Sequence, residues 1–256
     1  MIGVFDSGIG GLSVLREIRA QMPWADLVYV ADQGRAPYGT RTLAEVEQIS
    51  LEIGEWLVGQ GATTLVVACN TASAAALETM RSRFDGLPIV GMEPAVKPAA
   101  VQTRSGVIAV FATAATFQGR LFESVVSRHG EGVRVVARAC PHWVELVESG
   151  LVAGDEVEDA VAVPLGEALD EGTDVVVLGC THFSFLRPLL LDLGGEGLTV
   201  IDPAPAVAAQ TARVARGPHG EGMLRLVTSG DPARLLTLAA GVAGVSPSLP
   251  IVEYRG

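Results

Sequence analysis

Leu65-Val66-Val67-Ala68-Cys69-Asn70-Thr71-Ala72-Ser73 is the stretch on which the reading of this chain turns. A run of β-branched residues breaks off in a thiol, an amide and a hydroxyl, then enters an alanine-rich segment. Such a stretch reads as a buried strand that delivers polar groups at its carboxyl end. That is the edge where open α/β sheets place their ligands. Asn70 is also the only asparagine among 256 residues.

The neighbouring segments repeat the pattern. Ile2-Gly3-Val4-Phe5 is a short apolar strand, Asp6-Ser7-Gly8-Ile9-Gly10-Gly11 a turn, and Leu12 to Met22 a helix stopped by Pro23. A second strand, Leu27 to Ala31, ends at Asp32. A loop through Pro37-Tyr38-Gly39 then leads to an amphipathic helix over about 42–60. After the Cys69 stretch come a helix to about Phe84 and a strand near 88–91. From Val107 the alternation starts again, and Val175-Val176-Val177-Leu178-Gly179-Cys180-Thr181-His182 repeats the strand that ends in a thiol. Cys69 and Cys180 are 111 residues apart, and so are Pro94-Ala95-Val96 and Pro205-Ala206-Val207.

Strands alternating with helices predict parallel sheets. The chain is therefore expected to form two similar α/β domains, doubly wound and mainly parallel, related by pseudo-symmetry, with the active site in the cleft between them. Residues 1–96 plus 208–256 are expected on the Cys69 side and 97–207 on the Cys180 side. The tail, with strands near 224–228 and 251–254, is surplus to the second unit and returns to the first.

Composition excludes several classes. The net charge of -11 gives a surface that repels phosphate backbones, so nucleic-acid binding is not expected. Hydrophobic residues make up 49% of the chain, yet no uninterrupted apolar run is long enough to span a membrane. The first residues pass straight into a strand without a basic leader, so a cytoplasmic protein is expected. Three cysteines in a chain of this length form no disulfide framework.

Gly8-x-Gly10 after a strand, with Asp32 closing the next one, imitates a dinucleotide fingerprint. Ser13 stands in place of the third glycine, and Asp6 at the mouth of the turn would repel a pyrophosphate. An aspartate there suits a cationic group such as a substrate ammonium.

Cys69 and Cys180 each close a strand and precede a helix, where a thiolate would feel a helix dipole. A buried cysteine is ordinarily a small hydrophobe. Here each is followed by polar side chains, Asn70-Thr71 and Thr181-His182, which a core strand would leave unpaired at a cost. Neither has the local second ligand of a zinc or dithiol motif. Two thiols facing one substrate can remove a proton from one side and donate one on the other, inverting a stereocentre. On an extended chain His182 shares a face with Cys180 and can serve as its proton partner. His129, His142 and His219 are given no role.

The motifs Gly3-Val4-Phe5-Asp6-Ser7-Gly8, Pro37-Tyr38-Gly39, Ala68-Cys69-Asn70-Thr71-Ala72-Ser73, Glu93-Pro94, Cys140-Pro141 and Gly179-Cys180-Thr181-His182 resemble those of the glutamate racemases of bacterial cell-wall synthesis. These belong to the cofactor-independent Asp/Glu racemase superfamily. The resemblance covers nearly the whole chain. It implies interconversion of L- and D-glutamate by a two-base mechanism, supplying D-glutamate for peptidoglycan. A racemase of an aspartate-like amino acid is the alternative within the superfamily. Cys69 and Cys180 would be the two bases, assisted by Asp6 and His182, with Glu148 and Asp32 in supporting parts. Substrate contacts would come from Asp6, Ser7, Tyr38, Gly39, Asn70, Thr71, Thr113, Thr116, Thr181 and His182. Neither pyridoxal phosphate nor a metal is implied, and a homodimer is. Cys140 matches a structural position. The chain departs from the family pattern at Ser184, after His182-Phe183, and at Glu145, where a proline is usual.

Overall fold

A computed structural model describes residues 1–217 and 220–254. His219 lies outside the described residues. The strands are β1 (Ile2–Asp6), β2 (Leu27–Ala31), β3 (Thr64–Val67), β4 (Ile89–Val90), β5 (Val107–Ala112), β6 (Arg134–Ala139), β7 (Val175–Gly179), β8 (Thr199–Ile201), β9 (Leu224–Thr228) and β10 (Val252–Glu253). Among the described residues they form two sheets, of order β10-β9-β2-β1-β3-β4 and β6-β5-β7-β8, and every pairing is parallel.

The second sheet and the run β2-β1-β3-β4 of the first have the same order: second, first, third, fourth. This is the repeat read from the two thiol-ending strands, now expressed as topology. β1, β2, β3 and β7 are buried along their whole length. Helices cover both faces of such strands, so their sequences are unbroken apolar runs rather than alternating ones. The edge strand β10 is exposed, and the edge strand β6 is buried only at Val136.

Helix starts follow from local chemistry. Thr42 and Glu45 form a reciprocal capping box ahead of Leu43–Gly59, satisfying two orphan N–H groups. Val46, Ile49, Ile53 and Leu57 form its buried face. Asp231 caps Pro232–Gly241 by accepting from the Ala233 N–H at 2.8 Å. The helix Ala204–Val214 packs on Leu12–Gln21, so one apolar cluster runs between the two sheets and joins them.

An aromatic stack sits in that cluster. Phe111 of β5 meets Trp143 edge-on at 5.1 Å, and Trp143 meets Phe183 at 4.8 Å. All three rings are buried, and the Trp143 indole N–H donates to the Ala160 carbonyl at 2.9 Å. Phe111→Ala removes the first ring from a site with no access to water. It is expected to cost about 3–5 kcal/mol, read as a lower urea midpoint with an unchanged slope. A loss under 1 kcal/mol would show that the stack is not a structural pillar.

Candidate active site

In a sheet of this order, successive connections leave in opposite directions at the boundary between the first and third strands. Ligands bind at the carboxyl ends of the strands flanking that point. In the first sheet the flanking residues are Asp6, which ends β1, and Cys69, just beyond β3. In the second they are Thr113, just beyond β5, and Cys180, just beyond β7. The two switch points share a cavity of about 300 Å³. Cys69, Asn70 and Thr71 line it from one sheet, and Thr113, Cys180 and Thr181 from the other. His182, Ser7, Tyr38 and Gly39 complete the predicted residues on its wall.

Cys69 is the N-cap of the helix Asn70–Arg83, and the Ala72 N–H points at its sulfur at 3.5 Å. The Ser7 N–H also points at this sulfur. The helix dipole expected from the sequence is therefore present, but it does not prevail. Burial, with Asp6 close by, drives the Cys69 thiol well above the ordinary thiol range. The environment of Cys69 thus favours its protonated form.

Cys180 is built differently. No α-helix starts at it: a 3-10 helix, Thr181–Leu186, follows, and Cys180 makes no side-chain cap. His182 consequently lies in the first turn of a helix, not on an extended strand as the i, i+2 reading assumed. Its Nδ1 nevertheless comes within 3.7 Å of Cys180 Sγ. Its Nε2 is 2.6 Å from Glu148 Oε1. Burial alone would lower the basicity of His182. Its bonds to Cys180 and Glu148 outweigh burial and raise its pKa well above the usual value. Burial likewise opposes ionisation of Glu148, but His182, the Ile9 N–H at 2.8 Å and Gln33 at 3.3 Å hold its carboxyl below the ordinary range. The pair is thus an imidazolium–carboxylate couple beside Cys180. Trp143 fixes the helix Pro141–Glu148 and Phe183 fixes the turn carrying His182, so the aromatic stack sets their spacing.

The sign of the pH dependence follows. The contribution of Glu148, whose folded pKa is depressed, is present above about 4.5 and lost as pH falls through the folded value. That of His182, whose folded pKa is raised, is complete below about 6.5 and lost as pH rises through the folded value. Glu148→Gln is therefore expected to be less stable than wild type by about 2 kcal/mol between those limits, with the gap narrowing on either side. Urea midpoints across pH 4–9 check this, and a gap that does not vary with pH would exclude the couple.

Asp6, Thr116 and Glu148 do not line the cavity. Asp6 is fully buried, and its oxygens accept from the Gly8 N–H at 2.8 Å and the Thr181 hydroxyl at 3.0 Å. Burial raises its pKa, leaving a carboxyl able to exchange a proton near Cys69. Thr116 stands behind Thr113 and Thr71: the three hydroxyls lie 2.9–3.4 Å apart. Such a cluster can turn donors toward a carboxylate. The Tyr38 hydroxyl is engaged by Asp32 Oδ2 at 2.5 Å, so Tyr38 offers the cavity its ring and main chain. Asp32 is removed from the cavity and braces Tyr38, itself gripped by Arg35 and Ser229. Asn70 is 3% exposed, and its Oδ1 has no partner in the protein. An unpaired buried carbonyl on this wall is an acceptor free for an ammonium group.

The glycines of the decoy fingerprint have another purpose. A Cβ on Gly8 would strike the Glu148 carboxylate, and one on Gly10 would strike His182 and Thr181. One on Gly11 would stand 2.6 Å from Asp6 Cβ. The turn is glycine-rich so that four site side chains can press against it, not so that a phosphate can. Gln33, Tyr29 and Ser13 escaped the sequence reading. Tyr29 donates to the Gly8 carbonyl at 2.6 Å, and Ser13 to the Gly10 carbonyl at 2.8 Å, both bracing the same turn.

A family model described as Asp/Glu/Hydantoin racemase matches residues 2–211. A glutamate racemase from Roseiflexus sp. (strain RS-1) is 46% identical, the match covering 93% of this chain and 90% of that protein. Among solved structures, a glutamate racemase isoform from Bacillus anthracis superposes with a TM-score of 0.88 at 30% identity, covering 100% of this chain and 97% of that one. The Escherichia coli glutamate racemase, in complex with L-glutamate and the activator UDP-MurNAc-ala, superposes at 0.86 with 30% identity over 98% of this chain and 96% of that one. With two matched switch points, a thiol at each, and relatives alike over nearly the full length, this chain belongs to the Asp/Glu/hydantoin racemase family, in its glutamate racemase group.

Proposed function

We propose that this chain interconverts L- and D-glutamate by proton transfer at Cα, with Cys69 and Cys180 as the two bases, and so supplies D-glutamate for peptidoglycan. The observation that carries this reading is that both thiols open on one cavity from the switch points of two separate sheets. The glutamate racemase relatives support the substrate. One sulfur, as thiolate, takes the α-proton of one enantiomer. The charge left at Cα is delocalised into the carboxylate, which the hydroxyls of Thr71 and Thr113 can bind. The other sulfur, as thiol, delivers a proton to the opposite side. The product enantiomer leaves the thiol and thiolate exchanged, and the reverse reaction restores them.

Asp6 and His182 are proposed to serve Cys69 and Cys180 respectively, with Glu148 supporting His182. Ser7, Asn70 and the Tyr38-Gly39 segment complete the proposed binding site. Gly39 is needed because Thr113 approaches it closely: an added Cβ would lie 2.9 Å from Thr113 Cβ. The reaction calls for no pyridoxal phosphate or metal. The two-unit division at 1–96 plus 208–256 and 97–207 is part of the same proposal. So are a homodimer and a cytoplasmic location; among the described residues no helix is long and apolar enough to cross a membrane.

The test is incubation of the protein with L-glutamate in deuterium oxide without added cofactor. The expected result is exchange of the α-proton for deuterium by nuclear magnetic resonance, together with decay of the optical rotation to zero. Neither change, or a dependence on added pyridoxal phosphate, would overturn the proposal.

A further inference from the structure

Gln33 sits half-buried on the loop after β2, immediately beyond Asp32. The hydrogen bonds around it have a direction that chemistry dictates. The Gly230 N–H can only donate, and it donates to Thr228 Oγ1 at 3.0 Å. The Thr228 hydroxyl passes its own proton to Gln33 Oε1 at 3.2 Å. With its carbonyl committed to Thr228, the amide must present its NH₂ group to Glu148, and Nε2 is 3.3 Å from Oε2. A carboxylate held at Oε2 has its Oε1 pointed the other way. There it accepts from the Ile9 N–H at 2.8 Å and from His182 Nε2 at 2.6 Å. His182 Nδ1 then faces Cys180 Sγ at 3.7 Å.

One chain of hydrogen bonds thus runs from the end of β9 through Gln33 to the Glu148 carboxylate, where His182 donates from the other side and faces one thiol. None of its bonds reaches Cys69, whose sulfur is served by the Ser7 and Ala72 N–H groups. This set of hydrogen bonds links the C-terminal part of the chain to the Cys180 side of the site through Glu148 and His182.

We propose that Gln33 is a positioning residue for the Cys180 half of the reaction: it holds the Glu148 carboxylate in the orientation whose Oε1 faces His182, and so aligns the imidazole against Cys180 Sγ. This rests on the two-thiol reading above. Gln33 touches neither sulfur and acts through Glu148. Ile9 alone does not suffice, because its N–H binds Oε1, the same oxygen that must meet His182, and leaves rotation of the carboxylate unchecked.

Gln33→Met tests this, since it keeps the length and bulk of the side chain and removes both hydrogen bonds. L- and D-glutamate have equal free energies in water, so kcat/KM must fall equally in the two directions, by about tenfold. The direction appears in the primary isotope effects measured with α-deuterated L- and D-glutamate. Slowing the Cys180 step makes it more rate-limiting. The isotope effect should rise for the enantiomer whose α-proton Cys180 removes and fall for the other. That enantiomer is assigned independently, as the one from which a Cys180→Ser variant no longer eliminates HCl when presented with 3-chloroglutamate. A merely structural disturbance slows the enzyme without changing the ratio of the two isotope effects. Thr228→Val breaks the same chain one link earlier and should move the ratio in the same direction by a smaller amount. An unchanged ratio in both variants overturns the role of Gln33 while leaving two-thiol racemisation intact. Absence of α-proton exchange in the wild-type protein would instead overturn the reading beneath it.

Discussion

Cys69→Ser and Cys180→Ser should each lower racemisation by about 10²–10⁴-fold, the usual contribution of one positioned proton-transfer group. Serine preserves size and polarity, so the fold should survive. Its hydroxyl is too weak an acid and, once neutral, too weak a base to exchange a proton with Cα near pH 7. The informative result is not the loss itself but what each variant retains. A single remaining thiol can still take the α-proton of the enantiomer that faces it and return a solvent deuteron to the same side. Each variant is expected to exchange α-protium for deuterium with retention, in one enantiomer only, and the two variants should select opposite enantiomers. Nuclear magnetic resonance of separate L- and D-glutamate incubations reads this directly. A variant that racemises at the wild-type rate, or two variants that exchange the same enantiomer, would exclude the proposed division of labour. The asymmetry of the site adds a further expectation. Burial and Asp6 disfavour the Cys69 thiolate, so the exchange retained by the Cys180→Ser variant should increase with pH.

Gly8→Ala should be nearly as damaging, although Gly8 bears no functional group. An added Cβ occupies the space of the Glu148 carboxylate, which is bound at the same time by Ile9, Gln33 and His182. Glu148 cannot retreat without releasing His182, and a displacement of about 1 Å at such a position costs on the order of 10²-fold in rate. Overpacking should also cost about 1–3 kcal/mol of stability. Gly59, at the end of its helix, provides the control. An added Cβ there meets nothing within 4 Å, so Gly59→Ala should leave activity unchanged and hold or slightly raise the melting temperature. Thermal melts and kcat/KM on the two variants decide the matter. A Gly8→Ala enzyme within threefold of wild type would mean that the placement of Glu148 does not govern turnover.

Much of this was legible before any coordinates. Secondary structure and the repeat come from near neighbours along the chain. A β-branched run that ends in polar residues before an alanine-rich segment has few ways to fold, and its recurrence 111 residues later pairs Cys69 with Cys180. Tertiary structure reversed two local inferences. The helix terminus at Cys69 was read correctly, but its dipole is a short-range effect of fractional charges, and burial of the sulfur beside Asp6 outweighs it. His182 comes within 3.7 Å of Cys180, but through a 3-10 turn rather than a strand, because β7 ends at Gly179.

Other features had no local signature. Glu148 entered the sequence reading only through family resemblance, and Gln33 did not enter it at all. Their meeting joins positions 115 residues apart, and the bond from Ile9 to Glu148 spans 139. Hydrophobic periodicity is a property of a few consecutive residues, so the sequence by itself determined which strands and helices form, where each thiol emerges and that there are two. Which carboxylate meets which imidazole, and whether a thiol keeps its proton, depend on desolvation and hydrogen bonding summed over everything that surrounds the group. Those surroundings are assembled only when the two sheets come together.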